Sequence, residues 1–187
     1  FIGIGFLLLL SVQAFGPIGG GGRGGATGCG QIGEVCSDGT IYAGKTVGGA
    51  RIYVADADEP GRYRYGGYGT DLNGDNDTLP PELLDDGLGN TNALADSLPK
   101  KKPRRLTAAQ ACRDRGPDWY LPAKDELNTL YENRVAINAS AAAYFAEAPY
   151  WSSTEFSAFH AWLQSFSSGK QYNNNKATAY KVRCLHR

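Results

Sequence analysis

The chain has 187 residues, 42% of them hydrophobic, which suffices for one globular domain with short appendages. Nineteen basic and nineteen acidic residues cancel, so the net charge points to no class of partner. The 25 glycines and 11 tyrosines favour a loop-rich fold over a helical bundle. Charge is nevertheless segregated, because residues 65–99 carry seven acids and no Lys or Arg, and the basic run 100–105 follows directly.

Residues 1–14 have the pattern of a secretory signal peptide. Residues 1–10 are apolar and uncharged, and Val12-Gln-Ala14 places small residues where a signal peptidase cleaves. The apolar run is shorter than the roughly 20 residues that span a bilayer. Since a basic start is missing, we expect the sequence to begin inside the signal; a short buried strand or helix is the alternative. The pattern predicts an exported protein, secreted or held at the cell surface.

Residues 15–28 are glycine-rich and have no apolar periodicity, which is typical of a flexible linker. Glycine does not fall at every third position, so the segment is not collagen. The folded domain is therefore predicted to cover residues 29–187.

Four cysteines in an exported chain predict two disulfides, for which three pairings exist. Cys29 and Cys36 are close together in a glycine-rich segment, which favours their pairing and leaves Cys112 for Cys184. With no Cys-x-x-Cys pair and only two histidines, a structural zinc site is not expected.

The first half of the predicted domain contains a hairpin and a long loop. Two β-rich runs, 40–43 and 50–55, are separated by a glycine-containing turn at 44–49. Residues 60–103 are rich in Gly, Asp and Pro, which predicts a loop region with one helical turn at 92–96.

The second half contains helices followed by strands. Helices are predicted at 106–115, where Thr107 can cap the start, and after Pro122, with a short helix or turn at 139–147. The alternation in 161–166 and 180–184 predicts strands, with Tyr180, Val182 and Cys184 on one face of the last one.

A set of short motifs in this half resembles a known family. The motifs are Asp118-Trp-Tyr-Leu-Pro, Asp125-Glu-Leu, Trp151-Ser-Ser, Ala161-Trp162, Phe166, Gly169 and Val182-Arg-Cys. In this order they are similar to the C-terminal domain of the Legionella collagen-like adhesin, the DUF1566 family, from about residue 36 to residue 184. The glycine-rich linker and the charged stretch 60–105 depart from that family's pattern.

The resemblance implies an α+β fold of the C-type lectin-like class. Such a domain packs short helices on a small, mostly antiparallel sheet, with long loops and two disulfides. A bond from Cys112 on a helix to Cys184 on the last strand matches that class and agrees with the pairing above. The resemblance also implies an exported binding module rather than an enzyme.

The best candidate for ligand binding is the polar segment after the turn at Gly169. Amide groups, an aromatic ring and a lysine on a loop suit hydroxyl-rich ligands, and in lectin-like relatives the late strands and loops carry the ligand surface. A solvated polar hairpin is the alternative. The candidate residues are Gln171, Tyr172, Asn173, Asn174 and Lys176.

The acidic stretch is a candidate calcium loop. Its oxygen-bearing side chains follow the spacing of an EF-hand loop, but Asn76 replaces the usual glycine and two prolines block an exiting helix. An isolated calcium loop and a solvated acidic loop are therefore the two alternatives. The candidate ligands are Asp71, Asn73, Asp75, Asp77 and Glu82.

The basic run is a candidate site for sulfated glycans or other polyanions, and a solvated loop paired with the preceding acids is the alternative. A nucleic-acid partner does not suit an exported protein. The residues are Lys100, Lys101, Lys102, Arg104 and Arg105.

The sequence offers little support for catalysis. His160 has no evident serine or cysteine partner, and Asp125 and Glu126 have the positions of helix-start acids. Trp119, Trp151 and Trp162 are expected in the core, with sugar stacking as the alternative for an exposed ring.

We therefore predict a secreted or surface adhesin-type module that recognises glycans or a protein through its C-terminal loops. The competing hypothesis is a structural subunit or tip of an extracellular appendage without a soluble ligand. The sequence leaves a homo-oligomer open and predicts no stable membrane span.

Overall fold

The computed structural model describes residues 29–72, 84–97, 107–142 and 144–187. The predicted signal peptide, the linker and the basic run lie outside these residues, as do four of the five predicted calcium ligands. Nine strands and four helices lie wholly in the described residues. The strands are β1 (Ile41–Lys45), β2 (Arg51–Val54), β3 (Tyr63–Arg64), β4 (Trp119–Tyr120), β5 (Pro149–Glu155), β6 (His160–Ser165), β7 (Gln171–Asn175), β8 (Ala179–Tyr180) and β9 (Leu185–His186). The helices are α1 (Gly87–Ser97), α2 (Ala108–Arg113), α3 (Lys124–Glu132) and α4 (Arg134–Ser140).

The strands form small sheets in which every paired strand is antiparallel. One sheet has the order β1-β2-β9-β4, a second pairs β3 with β8, and a third has the order β5-β6-β7. The predicted hairpin is confirmed as β1 and β2. The mixed α and β architecture with antiparallel sheets and short helices is therefore as predicted.

Two buried apolar clusters hold the elements together. One contains β1, β2 and the inner sides of α3 and α4, with Leu127, Leu130 and Ile137 fully buried. The other surrounds Trp151 and the disulfide between Cys112 and Cys184.

Both predicted disulfides are present, Cys29–Cys36 and Cys112–Cys184. Because Cys112 lies on α2 and Cys184 directly precedes β9, the second bond joins two elements that are far apart in the chain. The shared apolar face of Tyr180, Val182 and Cys184 is also confirmed, since all three contribute to one cluster.

Arg183 lies on the opposite face of this segment, but it is buried rather than solvated. Its guanidinium donates to Asp58, at 2.7 Å from Nε, and to the carbonyl oxygen of Ala55 at 3.0 Å. Asp58 also accepts from the Tyr150 hydroxyl at 2.8 Å and lies 3.4 Å from Lys181 Nζ. The Val-Arg-Cys motif therefore supplies one disulfide cysteine and one buried ion pair.

Two helix predictions are corrected. The single turn expected at 92–96 is a longer helix, α1, although its sequence is rich in Gly and Asn. Close packing stabilises this helix, because a Cβ on Gly87 would lie 2.2 Å from Glu126 Oε2. The Thr91 hydroxyl also donates to the Leu121 carbonyl oxygen and accepts from the Leu121 N–H. Tertiary contacts thus override the low helix propensity of this segment.

The helix or turn expected at 139–147 begins earlier, as α4, and ends at Ser140. The chain leaves the helix because Phe145 enters the core, where it packs against Phe166 at 4.6 Å between ring centroids. The backbone N–H of Phe145 is held by Asn138 Oδ1 at 2.9 Å, which replaces a helical bond.

Candidate functional site

The predicted ligand-binding segment is a strand, not a loop. Residues 171–175 form β7 and pair with β6 in five consecutive register positions. Asn and Gln are depleted in strands, so pairing with β6 rather than local preference sets this conformation. The prediction of a loop at this position is therefore wrong.

Since side chains alternate along a strand, the predicted residues lie on two different faces. Gln171 and Asn173 share a face with Trp162. Tyr172 lies on the other face and packs against the cluster around Cys112–Cys184, where Asn174 Nδ2 donates to the Tyr180 hydroxyl at 2.6 Å. The five candidates therefore do not form one surface.

Lys176 is a correction within this set, because its side chain is fully buried. It forms an ion pair with Glu155 and donates to the carbonyl oxygen of Thr70 at 3.0 Å. Glu155 in turn accepts from the backbone N–H of Leu72 at 2.9 Å. Lys176 thus fastens residues 70–72 to the sheet rather than facing a ligand.

Trp162 is the tryptophan that differs from the expected core position. Trp151 is fully buried and donates to the Tyr63 carbonyl oxygen at 2.9 Å, and Trp119 packs partly buried against the same cluster. Trp162 is partly exposed on the face of β6. Its indole N–H is buried and has no acceptor among the described residues.

The surroundings of Trp162 combine an aromatic ring, a cation and amides. Phe156 packs edge-on at 5.5 Å, and Lys124 Nζ lies 4.9 Å from the indole centroid. Asn173 lies directly opposite Trp162 in the ladder, where side chains of neighbouring strands touch. We call the surface formed by Lys124, Phe156, Trp162, Gln171 and Asn173 the β6–β7 face.

Lys124 is held in place by the first turn of α3. Its backbone N–H donates to Thr154 Oγ1 at 2.9 Å, and its carbonyl oxygen accepts from Gln171 Nε2 at 2.8 Å. The helix start is thereby bonded to β5 and to β7. A rigid backbone position for Lys124 follows, with its ammonium group 3.7 Å from Asp125.

Glu126 anchors the same turn from the inside. Its carboxylate accepts from the backbone N–H of Ala123 at 2.9 Å and of Gly87 at 3.2 Å, and from Tyr120 and Arg187 at 3.1 Å each. Burial raises the pKa of Glu126 to about 7, although the backbone bond to Ala123 and the charge of Arg187 act in the opposite direction. Burial together with the neighbouring Glu126 charge also raises the pKa of Tyr120. Glu126 is thus a helix-start acid, as predicted, and a buried one.

The turn between β5 and β6 carries exposed rings, a feature that the sequence analysis missed. Phe156 and Phe159 are 39% and 49% exposed, and Tyr68, 56% exposed, packs edge-on against Phe159 at 5.3 Å. The signal was two phenylalanines within a short serine-containing turn, where no core position is expected.

Only one of the five predicted calcium ligands lies in the described residues. Asp71 is exposed, while Asn73, Asp75, Asp77 and Glu82 lie outside the described residues. Within the described ranges, no group of three or more His, Cys, Asp or Glu side chains is arranged to hold a metal ion. Lys176 and Glu155 fix the chain where this segment begins, and calcium binding stays a prediction.

The basic run 100–105 lies outside the described residues, so polyanion binding there also stays a prediction.

All four cysteines are in disulfides.

Comparison with known proteins settles the family. The profile of the Lcl C-terminal domain, from the Legionella collagen-like protein, matches residues 92–186. The chain belongs to the Lcl C-terminal domain family. The match begins at residue 92, so the resemblance expected from about residue 36 is confirmed only from there onward. No curated protein matches the chain in sequence.

The Lcl C-terminal domain match contains the whole β6–β7 face and both cysteines of the longer disulfide, whereas the hairpin of β1 and β2 precedes it. Among solved structures, the fold is similar to that of a fimbrial protein from Bacteroides ovatus, with a TM-score of 0.50 and 16% sequence identity. The similarity covers 74% of this chain but only 36% of the fimbrial protein. In the part of the chain that the structure describes, no helix has the length and apolar character needed to cross a membrane.

Proposed function

We propose that this chain is a secreted or cell-surface binding module that recognises glycans through the β6–β7 face and performs no catalysis. Membership of the Lcl C-terminal domain family and the fimbrial fold neighbour support a surface role in adhesion. The observation that carries the glycan proposal is the partly exposed Trp162 directly opposite the Asn173 amide.

The chemistry of this face suits a sugar. An aromatic ring offers apolar surface to the C–H side of a pyranose, and amides can both donate to and accept from its hydroxyls. Asn173 supplies such an amide, since Gln171 Nε2 already donates to the Lys124 carbonyl oxygen and to Gln164 Oε1. The Lys124 ammonium next to the ring suits a sulfate or carboxylate substituent. This favours anionic glycans over neutral ones.

We further propose that the fold is of the C-type lectin-like class. The disulfide from α2 to the segment before β9, together with short helices on antiparallel strands, supports this assignment. Calcium, if bound, would be held by the acidic segment 71–82, whose base at Thr70 and Leu72 is fastened to Lys176 and Glu155.

The test is binding of the full chain to an array of neutral and sulfated glycans, with calcium and with chelator. Trp162→Ala should weaken binding to the preferred glycan about tenfold or more, as expected for an aromatic anchor worth about 1.4 kcal/mol or more. Tyr144→Ala is the matched control, because Tyr144 is an exposed aromatic, at 70%, outside this face.

Each outcome assigns the site. If Trp162→Ala loses glycan binding and Tyr144→Ala does not, the β6–β7 face is supported as the binding site. If chelation of calcium weakens glycan binding, part of the binding site lies in segment 71–82. If glycan binding is strongly salt-sensitive and survives Trp162→Ala, the binding site is the basic run Lys100–Arg105. If the native chain binds no glycan under either condition, the glycan proposal is wrong.

The second candidate function is a subunit of an extracellular appendage. The specific observation in its favour is the fold similarity to a fimbrial protein, of which this chain spans about a third. Self-assembly of the native chain without any glycan binding would favour this function.

A further inference from the structure

Strand β7 forms one edge of the β5-β6-β7 sheet as far as the described residues show. Its ladder with β6 runs through five consecutive pairs without a shift, whereas the ladder between β5 and β6 is interrupted. Gln171–Asn175 contains no proline and no charged residue. Proteins usually protect sheet edges with bulges, prolines or charges, and β7 has none of these.

The direction of each backbone group on β7 follows from its neighbours in the ladder. The backbone N–H of Ser165 donates to the carbonyl oxygen of Lys170 at 3.0 Å, and the backbone N–H of Lys176 donates to the carbonyl oxygen of Phe159 at 3.0 Å. Because bonded positions alternate in an antiparallel ladder, Tyr172 and Asn174 point their backbone groups toward β6. Gln171 and Asn173 therefore point theirs toward the open edge.

Asn175 also points outward, but its backbone groups are already bonded. Its N–H donates to Asn174 Oδ1 at 2.7 Å, and its carbonyl oxygen accepts from Thr178 N–H at 2.9 Å. The edge therefore offers the N–H and C=O groups of two residues, Gln171 and Asn173.

We propose that two copies of this chain pair through this edge, with β7 antiparallel to β7 of the second copy and a two-fold axis at Tyr172. Gln171 then lies opposite Asn173 of the second copy, and Asn173 opposite its Gln171, which makes four N–H···O bonds. Tyr172 faces its own symmetry mate at a non-hydrogen-bonded position, where Cα atoms approach to about 4.5 Å.

The strand is self-complementary in this register, which is why a second copy fits better than another partner. On one face only amides meet amides, and on the other a tyrosine meets a tyrosine, a pairing that stabilises antiparallel strands. No like charges face each other. A charged peptide strand would find no opposite charge on Gln171–Asn175.

A two-fold axis normal to the sheet keeps both β6–β7 faces on the same side. The two β6 strands would lie three strand spacings apart, about 14 Å, with one Trp162 on each, which would create a bivalent surface. This consequence rests on the proposed glycan face, but the pairing itself does not.

The test is sedimentation equilibrium of the full chain over a concentration series reaching about 1 mM, without any glycan. The native mass should rise from that of one chain to that of two.

In the proposed register the two Asn173 side chains are diagonal neighbours about 7–8 Å apart. Asn173→Lys and Asn173→Glu should therefore each stay monomeric, and an equimolar mixture should recover the dimer. Ala177→Lys adds the same charge at an exposed position beyond β7 and should dimerise like the native chain.

Amide hydrogen exchange gives a second readout that is specific to the edge. The N–H groups of Gln171 and Asn173 should exchange more slowly as concentration rises, while those of Tyr172 and Asn174, already bonded to β6, should not change. A native chain that stays monomeric throughout the series would overturn the proposal. So would a dimer that leaves Gln171 and Asn173 unprotected or that survives both charge substitutions.

Discussion

Lys176 and Glu155 form an ion pair whose side chains are 0% and 2% exposed. Two charges taken out of water lose several kcal/mol of hydration each, and only close geometry with further hydrogen bonds offsets that cost. Here Lys176 also bonds to Thr70, and Glu155 bonds to the N–H of Leu72. The pair therefore connects the end of β7 to the chain segment that leads into the acidic stretch.

Removing one member of this pair should be worse than removing both. Lys176→Met leaves the buried Glu155 without the Lys176 charge, so we expect a loss of about 3–5 kcal/mol in the free energy of unfolding. Lys176→Met with Glu155→Gln removes both charges of this pair and retains an acceptor for Leu72, so its loss should be smaller. Urea denaturation of Lys176→Met, of Glu155→Gln and of the double variant measures the difference. If the double variant loses as much as the sum of the two single variants, the charges are not coupled.

At the scale of elements, the first turn of α3 joins three parts of the molecule. The Glu126 carboxylate holds the N–H of Gly87 at the start of α1, the N–H of Ala123 at the start of α3, and the side chain of Arg187 beyond β9. Its buried position raises its pKa to about 7. In the unfolded chain the carboxyl would titrate near 4.5.

This raised pKa predicts a pH dependence of stability with a definite sign. Between about pH 4.5 and 7 the folded state holds a proton on Glu126 that the unfolded state has lost. The contribution is therefore fully present below pH 4.5 and falls as the pH rises toward 7, by at most about 1.4 kcal/mol per unit. Glu126→Gln should flatten this slope, measured by urea denaturation between pH 5 and 7. Parallel curves for the two proteins would contradict the raised pKa.

The elements also show which structural features the sequence could predict. The hairpin of β1 and β2, helix α2 with its Thr107 cap and the start of α3 follow from local signals, and all are present. Strand β7 could not be predicted, because amide-rich segments also form turns and only the pairing with β6 makes this one a strand. The burial of Lys176 depends on a carboxylate on another strand, which no local pattern reveals. The partial exposure of Trp162 likewise depends on how β6 packs.

At the scale of the whole molecule, the two disulfides close chain segments of very different length. Cys29–Cys36 closes a separation of 7 residues near the start of the described chain, and Cys112–Cys184 closes one of 72. The carbonyl oxygen of Cys184 also accepts from the N–H of Ala55 at 3.0 Å. The longer disulfide thus ties α2, the segment before β9 and the residues after β2 around one buried cluster.

Loss of the longer disulfide should therefore destabilise the protein more than loss of the shorter one. In the chain-entropy model the stabilisation grows with the closed loop, to about 4 kcal/mol for Cys112–Cys184 against about 2 kcal/mol for Cys29–Cys36. Cys112 and Cys184 are also fully buried, so Cys112→Ala with Cys184→Ala loses packing as well. Urea denaturation of the two paired variants compares them directly, and Cys29→Ala with Cys36→Ala serves as the matched control. Equal losses in the two variants would show that the covalent link between α2 and the last strands does not set the stability of this domain.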